Sequence, residues 1–120
     1  MTSTLSLMIH RKKFWEISGR FISIFFKSLG VLSPILVALI LIIAGLGVLQ
    51  ARLMGISMGD GIYFSWVTAF TVGYGDVVPA GWLSRICAMA SALTGMIFTG
   101  VWVAVAVNAL KMTMQENESL

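Results

Sequence analysis

Residues Thr71-Val72-Gly73-Tyr74-Gly75-Asp76 carry the most concentrated chemistry in the chain, and it belongs to the backbone. A cation stripped of its water needs oxygens on all sides, and a strand whose carbonyls all point one way supplies a column of them. Such a ribbon requires ordinary and left-handed backbone in alternation. Glycine enters the left-handed region without the penalty of a Cβ. Gly73 and Gly75 stand at alternate positions, so their spacing predicts that ribbon here. Val72 and Tyr74 then turn to the other side, where they pack and brace. Reactive chemistry is not expected. The sequence offers no nucleophile–base pair, metal-ligand cluster or phosphate loop, so it reads as neither an enzyme nor a holder of a cofactor.

The elements around the ribbon are apolar. The 120 residues, at most one domain, are 58% hydrophobic and only 11% charged, with a mean hydropathy of +0.95. That is too little charge to cover a water-soluble domain. Residues 31–50 contain no charge, and twenty helical residues give about 30 Å, the thickness of a bilayer's hydrocarbon core. Residues 86–110 form a second uncharged run. Two membrane spans are therefore expected. A cleavable signal peptide is not, because no short apolar run with a small-residue cleavage site precedes them. The loop at residues 52–59, with Gly55 and Gly59, leads to Asp60, read as the N-cap of a helix over 61–70. That helix is too short to span and runs straight into the ribbon, so it should be re-entrant. Pro79 and Gly81 end the extended segment, and the second span starts near Trp82.

Charge orients the spans. Arg11, Lys12, Lys13, Arg20 and Lys27 precede the first, while only Arg52 and Arg85 lie between the two. The excess places both termini in the cytoplasm and the loop outside, as a multi-pass protein of the cell membrane. Phe14, Trp15, Ile17, Phe21, Ile22, Phe25 and Phe26 interleave with the basic residues. That mixture fits an amphipathic helix over residues 5–28 lying on anionic lipid head groups better than it fits nucleic acid. Gly30 and Ser33-Pro34 mark a bend into the membrane. The organisation predicted is a cytoplasmic N-terminus over residues 1–30, a membrane domain over 31–110 and a short cytoplasmic tail over 111–120. Cys87, the sole cysteine, reads as a small apolar residue. His10 is either a pH sensor or an ordinary interfacial histidine.

With Thr71 to Gly75 followed by Asp76 and flanked by two apolar spans, the chain resembles the pore domain of potassium channels, in the branch with two transmembrane helices and one pore loop. The resemblance covers residues 31–110. That four Thr-Val-Gly-Tyr-Gly loops replace a potassium ion's hydration shell is general to that family and is not read from this chain. The resemblance implies an all-α membrane protein with a re-entrant pore helix and filter loop, assembled as a homotetramer around an axis. Potassium would be held at Thr71, Val72, Gly73 and Tyr74, with the Thr71 hydroxyl as innermost ring and Gly75 completing the filter. The ion is the permeant species, conducted passively, and no other cofactor is implied. The pore helix would aim its negative dipole end at the central cavity.

Departures from the family pattern raise specific questions. Phe70 stands where many members carry threonine. Val67 stands where well-known bacterial members carry the glutamate that partners the aspartate after the filter. Asp76 must then find another partner, such as Trp66 or water, and slow filter inactivation is put in doubt. Tyr63 or Trp66 either holds Tyr74 laterally or packs between subunits. Gly95 matches the family's inner-helix hinge, with close helix packing as the rival reason; Gly100, Ala104 and Ala106 offer further small surfaces. Met96, Thr99, Val103 and Val107 would line the cavity and its cytoplasmic mouth, or simply pack. Asn108 and Lys111 are gate residues or interfacial anchors. No arginine-rich voltage sensor and no regulatory domain is expected. The competing readings are a less selective cation channel, a piece of a larger ligand-gated channel, and a non-conducting subunit.

Overall fold

The computed structural model describes residues 2–118, and all regular structure in them is helical. The helices are α1 (Thr2–Met54), α2 (Met58–Ala69) and α3 (Trp82–Glu118). Of the predicted N-terminal segment and tail, residues 1, 119 and 120 lie outside the described residues. α1 and α3 are both long and apolar enough to cross a membrane, over Thr4–Met54 and Trp82–Glu116. Much of their large apolar surface is exposed in the single chain. A surface of that kind is made for lipid or for other helices.

α1 differs from expectation, because it runs 53 residues without a break through Pro34, about 80 Å at 1.5 Å per residue. Proline removes one helical hydrogen bond. Breaking the helix inside an apolar span would strip several backbone groups of theirs, which costs more. The helix ends three residues later than predicted. Gly55 takes a left-handed φ of +66°, and the Ile56 N–H reaches back to the Ala51 carbonyl at 3.2 Å, satisfying a terminal carbonyl.

α2 also starts earlier than predicted, and its N-cap is Ser57 rather than Asp60. The Ser57 hydroxyl oxygen accepts the Asp60 N–H at 3.1 Å and donates to Asp60 Oδ2 at 2.7 Å. Both residue types cap helices. Ser57 has the extended φ/ψ a cap requires (−61°, 153°), and Asp60 sits in the first turn with its charge at the positive end of the helix dipole. At α3 the start is where the sequence placed it. Ser84 Oγ accepts the Gly81 N–H at 3.1 Å and donates to the Gly81 carbonyl at 2.8 Å.

The chain divides into two compact units, Ser33–Trp102 and Met1–Leu32 with Val103–Leu120. In the first, α1 and α2 cross at two glycines. A Cβ on Gly47 would stand 2.7 Å from Ile62 Cα, and one on Gly61 would stand 2.5 Å from the Gly47 carbonyl oxygen. Small residues let helix backbones approach this closely where water supplies no hydrophobic drive. Beside the crossing, the buried Ser65 hydroxyl donates to the Ile43 carbonyl of α1 at 2.8 Å and lies 3.0 Å from Ser91 Oγ of α3. One small side chain thus ties three helices. Gln50 is fully buried, and neither the nitrogen nor the oxygen of its amide has a hydrogen-bond partner among the described residues.

In the second unit, Val105, Ala109 and Thr113 form a buried stripe four residues apart on α3. Half-buried Ile17 and Phe21 of α1 line a groove with Leu110 and Thr113 of α3. Arg20 and Glu116 approach to 3.9 Å. Both side chains are about half exposed, so the pair contributes less than about 1 kcal/mol.

Candidate functional site

The ribbon at residues 71–75 hangs from the end of α2. Phe70 closes the helix with φ −84° and ψ 9°, its N–H bonding the Trp66 carbonyl at 2.9 Å. The next three N–H groups turn back to the same helix end. Thr71 donates to the Thr68 carbonyl at 3.0 Å, while Val72 and Gly73 both donate to the Val67 carbonyl, at 2.9 and 3.3 Å. The φ angles of Thr71, Gly73 and Gly75 are +58°, +56° and +77°, so left-handed backbone falls on alternate residues. Thr71 is the one residue in this set that is not glycine, and left-handed backbone costs such a residue about 1–2 kcal/mol. Its hydrogen bond to the helix end helps hold it there. Among the described residues, none of the carbonyls of 71–75 accepts a protein hydrogen bond. The donors of Thr71, Val72 and Gly73 are spent on the protein, and the acceptors are left open.

All five residues are exposed in the single chain, including Val72 and Tyr74, whose side chains are 50% and 71% accessible. Neither Tyr63 nor Trp66 hydrogen-bonds Tyr74 within the chain. Tyr63 instead donates its hydroxyl to Asp76 Oδ2 at 2.9 Å, and Asp76 Oδ1 accepts the Val77 N–H at 3.1 Å. The partner left open for Asp76 by valine at 67 is therefore a tyrosine one turn earlier in α2. The hydrogen bond to Asp76 raises the Tyr63 hydroxyl above its ordinary pKa, with desolvation and the negative charge of Asp76 adding to it. The phenol thus stays a donor throughout the physiological range.

Trp66 stacks on Phe70 with ring centroids 5.4 Å apart, and Phe70 meets Phe98 of α3 edge-on at 5.7 Å. Phe98 continues the contact to Trp102 at 6.2 Å. Phe70 therefore joins the base of the ribbon to α3 through aromatic edges and faces. Gly95 supplies the other junction. It is buried, and a Cβ there would run into the backbone carbonyl of Ala69, the last residue of α2, and stand 2.6 Å from its Cα. Of the two reasons the sequence offered for this glycine, the geometry supplies close packing.

Met96 and Thr99 lie exposed on α3 in the first unit. In the second, Val103 and Val107 are exposed at 57% and 56%, on the face of α3 away from the buried Val105–Ala109–Thr113 stripe. Asn108 makes only a long 3.9 Å contact to Met112 Sδ, and Lys111 is exposed. Among the described residues no group of acidic, histidine or cysteine side chains is placed to hold a metal ion. The residues that sequence reasoning missed act through their backbones. They are the Gly47–Gly61 pair that seats α2, while Val67, singled out in the sequence for its side chain, acts through a carbonyl that anchors two N–H groups. Side-chain identity announces no carbonyl, although two glycines fourteen residues apart in flanking helices were a visible signal.

Two long apolar helices flanking a short helix and a ribbon of unengaged carbonyls fit a helical membrane protein that passes ions. The model of the ion channel family matches residues 34–112, about two-thirds of the chain. The protein belongs to that family, and it is a multi-pass membrane channel rather than an enzyme. Curated relatives agree over shorter stretches. The chain is 49% identical over 41 residues to two-pore potassium channel 1 of Arabidopsis thaliana, covering 34% of this chain and 11% of that protein. It is 40% identical over 50 residues to a putative potassium channel protein of Rhodopseudomonas palustris, covering 42% of this chain and 12% of that one. The matched stretches thus span about a tenth of each relative's length.

Proposed function

We propose that four copies of this chain form a potassium-selective pore that conducts the ion passively down its electrochemical gradient. The observation that carries the reading is the ribbon at 71–75, with the N–H groups of Thr71, Val72 and Gly73 fastened to the end of α2 and its carbonyls unengaged. One such strand cannot surround an ion, and four arranged cyclically can. Potassium would then lie between rings of oxygens from Thr71, Val72, Gly73 and Tyr74, with the Thr71 hydroxyl innermost and the Gly75 carbonyl at the outer end. Tyr74 and Val72, exposed in the single chain, would be covered by the neighbouring copy, and the lateral hold on the Tyr74 hydroxyl would come from that copy. The names of both relatives support potassium as the ion.

In this assembly Met96 and Thr99 face the cavity, and Val103 and Val107 ring its inner mouth, where an apolar constriction stops ions by dewetting. The cell membrane holds the protein with both termini cytoplasmic, and the basic N-terminal segment meets anionic lipid head groups. The purified chain reconstituted alone in liposomes tests the reading. Potassium and rubidium should enter down their gradients and sodium should be largely excluded. Comparable sodium flux would remove the selectivity, and no flux at all would leave a non-conducting subunit.

A further inference from the structure

Beside the end of the ribbon, the unit Ser33–Trp102 holds a pocket of about 400 Å³. Leu53 and Met54, in the last turn of α1, and Ile56 just beyond it form one side. Asp76, Val77 and Val78, directly after the ribbon, form another. That volume falls within the range of sites that hold small organic ligands, about 300–1,000 Å³. All of these side chains but one are apolar, and the exception is a carboxylate. A mostly apolar wall with one charged group is the usual composition of a small-ligand site. The pocket also adjoins the C-terminal end of α1, where the helix dipole favours positive charge.

Asp76 decides the kind of occupant. Its two oxygens accept one neutral donor each, from Tyr63 and Val77. A carboxylate offers about four acceptor positions, so about two remain. Among the described residues no basic side chain pairs with it. Arg85 donates instead to the Pro79 carbonyl at 3.4 Å. A bare dication needs several converging oxygens, and the described residues offer no cluster of acidic, histidine or cysteine side chains. The ligand that fits is a cation with a hydrocarbon body. We propose that this pocket binds an organic ammonium, its cationic head on Asp76 and its hydrocarbon against Leu53, Ile56 and Val77. The site goes beyond the proposed function, because no residue of 71–75 lines it and the ion path is not part of it. An occupied pocket ties the end of α1 to the segment that follows the ribbon, through the same carboxylate that Tyr63 holds.

The test follows the fluorine NMR signal of para-fluorobenzylammonium titrated with the purified full-length chain in detergent, against protein-free micelles. The ammonium should bind saturably, and para-fluorobenzyl alcohol, of the same shape without the charge, about tenfold more weakly. Methylammonium, which has the charge without the ring, should fail to displace it at about hundredfold excess. Asp76→Asn should weaken binding about tenfold, and so should Ala80→Phe, which fills the pocket from an exposed lining position. Leu53→Ser, which takes apolar surface from the opposite side, should weaken it too and keeps the test if Ala80→Phe fails to fold. Potassium should not displace the probe. Binding is read without flux, so its outcome is independent of whether the pore conducts. Equal binding of the alcohol would mean simple partition into an apolar crevice and overturn the proposal. Displacement by methylammonium would mean a plain cation site, and displacement by potassium a site on the ion path; either overturns it. So would binding indifferent to all three substitutions.

Discussion

Replacing Gly95 with alanine separates two accounts of that glycine by the sign of a free energy. On a hinge account the substitution removes a flexible residue from α3. Alanine favours helix over glycine by about 1 kcal/mol, so the folded assembly should gain stability while conducting less. The packing geometry gives the opposite sign. The added methyl would overlap the Ala69 carbonyl group and lie 2.6 Å from its Cα. All of these are backbone atoms, with no flexible side chain to yield, so α2 and α3 must part by about 1 Å. Overpacking of this kind costs about 1–3 kcal/mol, and a rigid neighbour places it near the top of that range. With the propensity gain subtracted, the net loss is about 2 kcal/mol, or roughly thirtyfold in the folding equilibrium. Gly45, with nothing within 4 Å of a Cβ, is the control, and Gly45→Ala should leave stability equal or raised. Denaturant unfolding in mixed micelles, followed by tryptophan fluorescence, reads both variants. A Gly95→Ala protein as stable as its parent would refute the packing account.

Three further outcomes are expected. Tyr63→Phe deletes the donor to Asp76, and sustained potassium current should decay faster during long openings. Because the Tyr63 pKa is raised, that bond is fully present below about pH 10 and is lost only as pH climbs through the higher folded value, so parent currents should show no transition from it between about pH 6 and 9. Current equally durable in Tyr63→Phe would make the bond incidental. Gly73→Ala forces a Cβ into a left-handed position, costing about 1–2 kcal/mol at the ribbon's centre, and selective flux should vanish while the protein still assembles on native gels. Val107→Asp should hydrate the inner mouth and repel across the axis, raising open probability in single-channel recordings; unchanged gating would move the constriction elsewhere.

What the sequence disclosed followed from how local each cause is. Gly73 and Gly75 were legible because left-handed backbone has one favoured residue type, whereas Thr71 shares their φ without sharing their type. Its geometry is imposed by the helix end it bonds. The two spans were legible from hydropathy, and their ends were not. Pro34 reads as a break wherever water can take up the freed carbonyl, but α1 passes through it. Ser57 and Asp60 are both cap formers, and composition alone does not rank two such residues three apart. Gly95 was recognisable as special, but its reason lies in Ala69, twenty-six residues away, and only the packing of α3 on α2 discloses it. Tyr63 was recognisable as a polar side chain near the filter, but its bond to Asp76, thirteen residues on, is disclosed only by the fold.

The fastening of the ribbon to its own helix bears on how such a protein is made in a cell. Every hydrogen bond that shapes residues 71–73 is drawn from Val67 and Thr68 of the same chain, and α2 is seated on α1 by Gly47, Gly61 and Ser65, again from within. If the protein assembles as the proposed tetramer, a newly inserted protomer carries the shaped start of its quarter of the filter before it meets a sibling. Assembly has only to bring preformed strands face to face, and the slow, error-prone work of shaping the backbone is done once per chain, during biogenesis. A defect in the ribbon would then pass quality control as an assembled but silent channel, while a defect at the Gly47–Gly61 crossing would be caught earlier, as a protomer that never presents a strand to its neighbours.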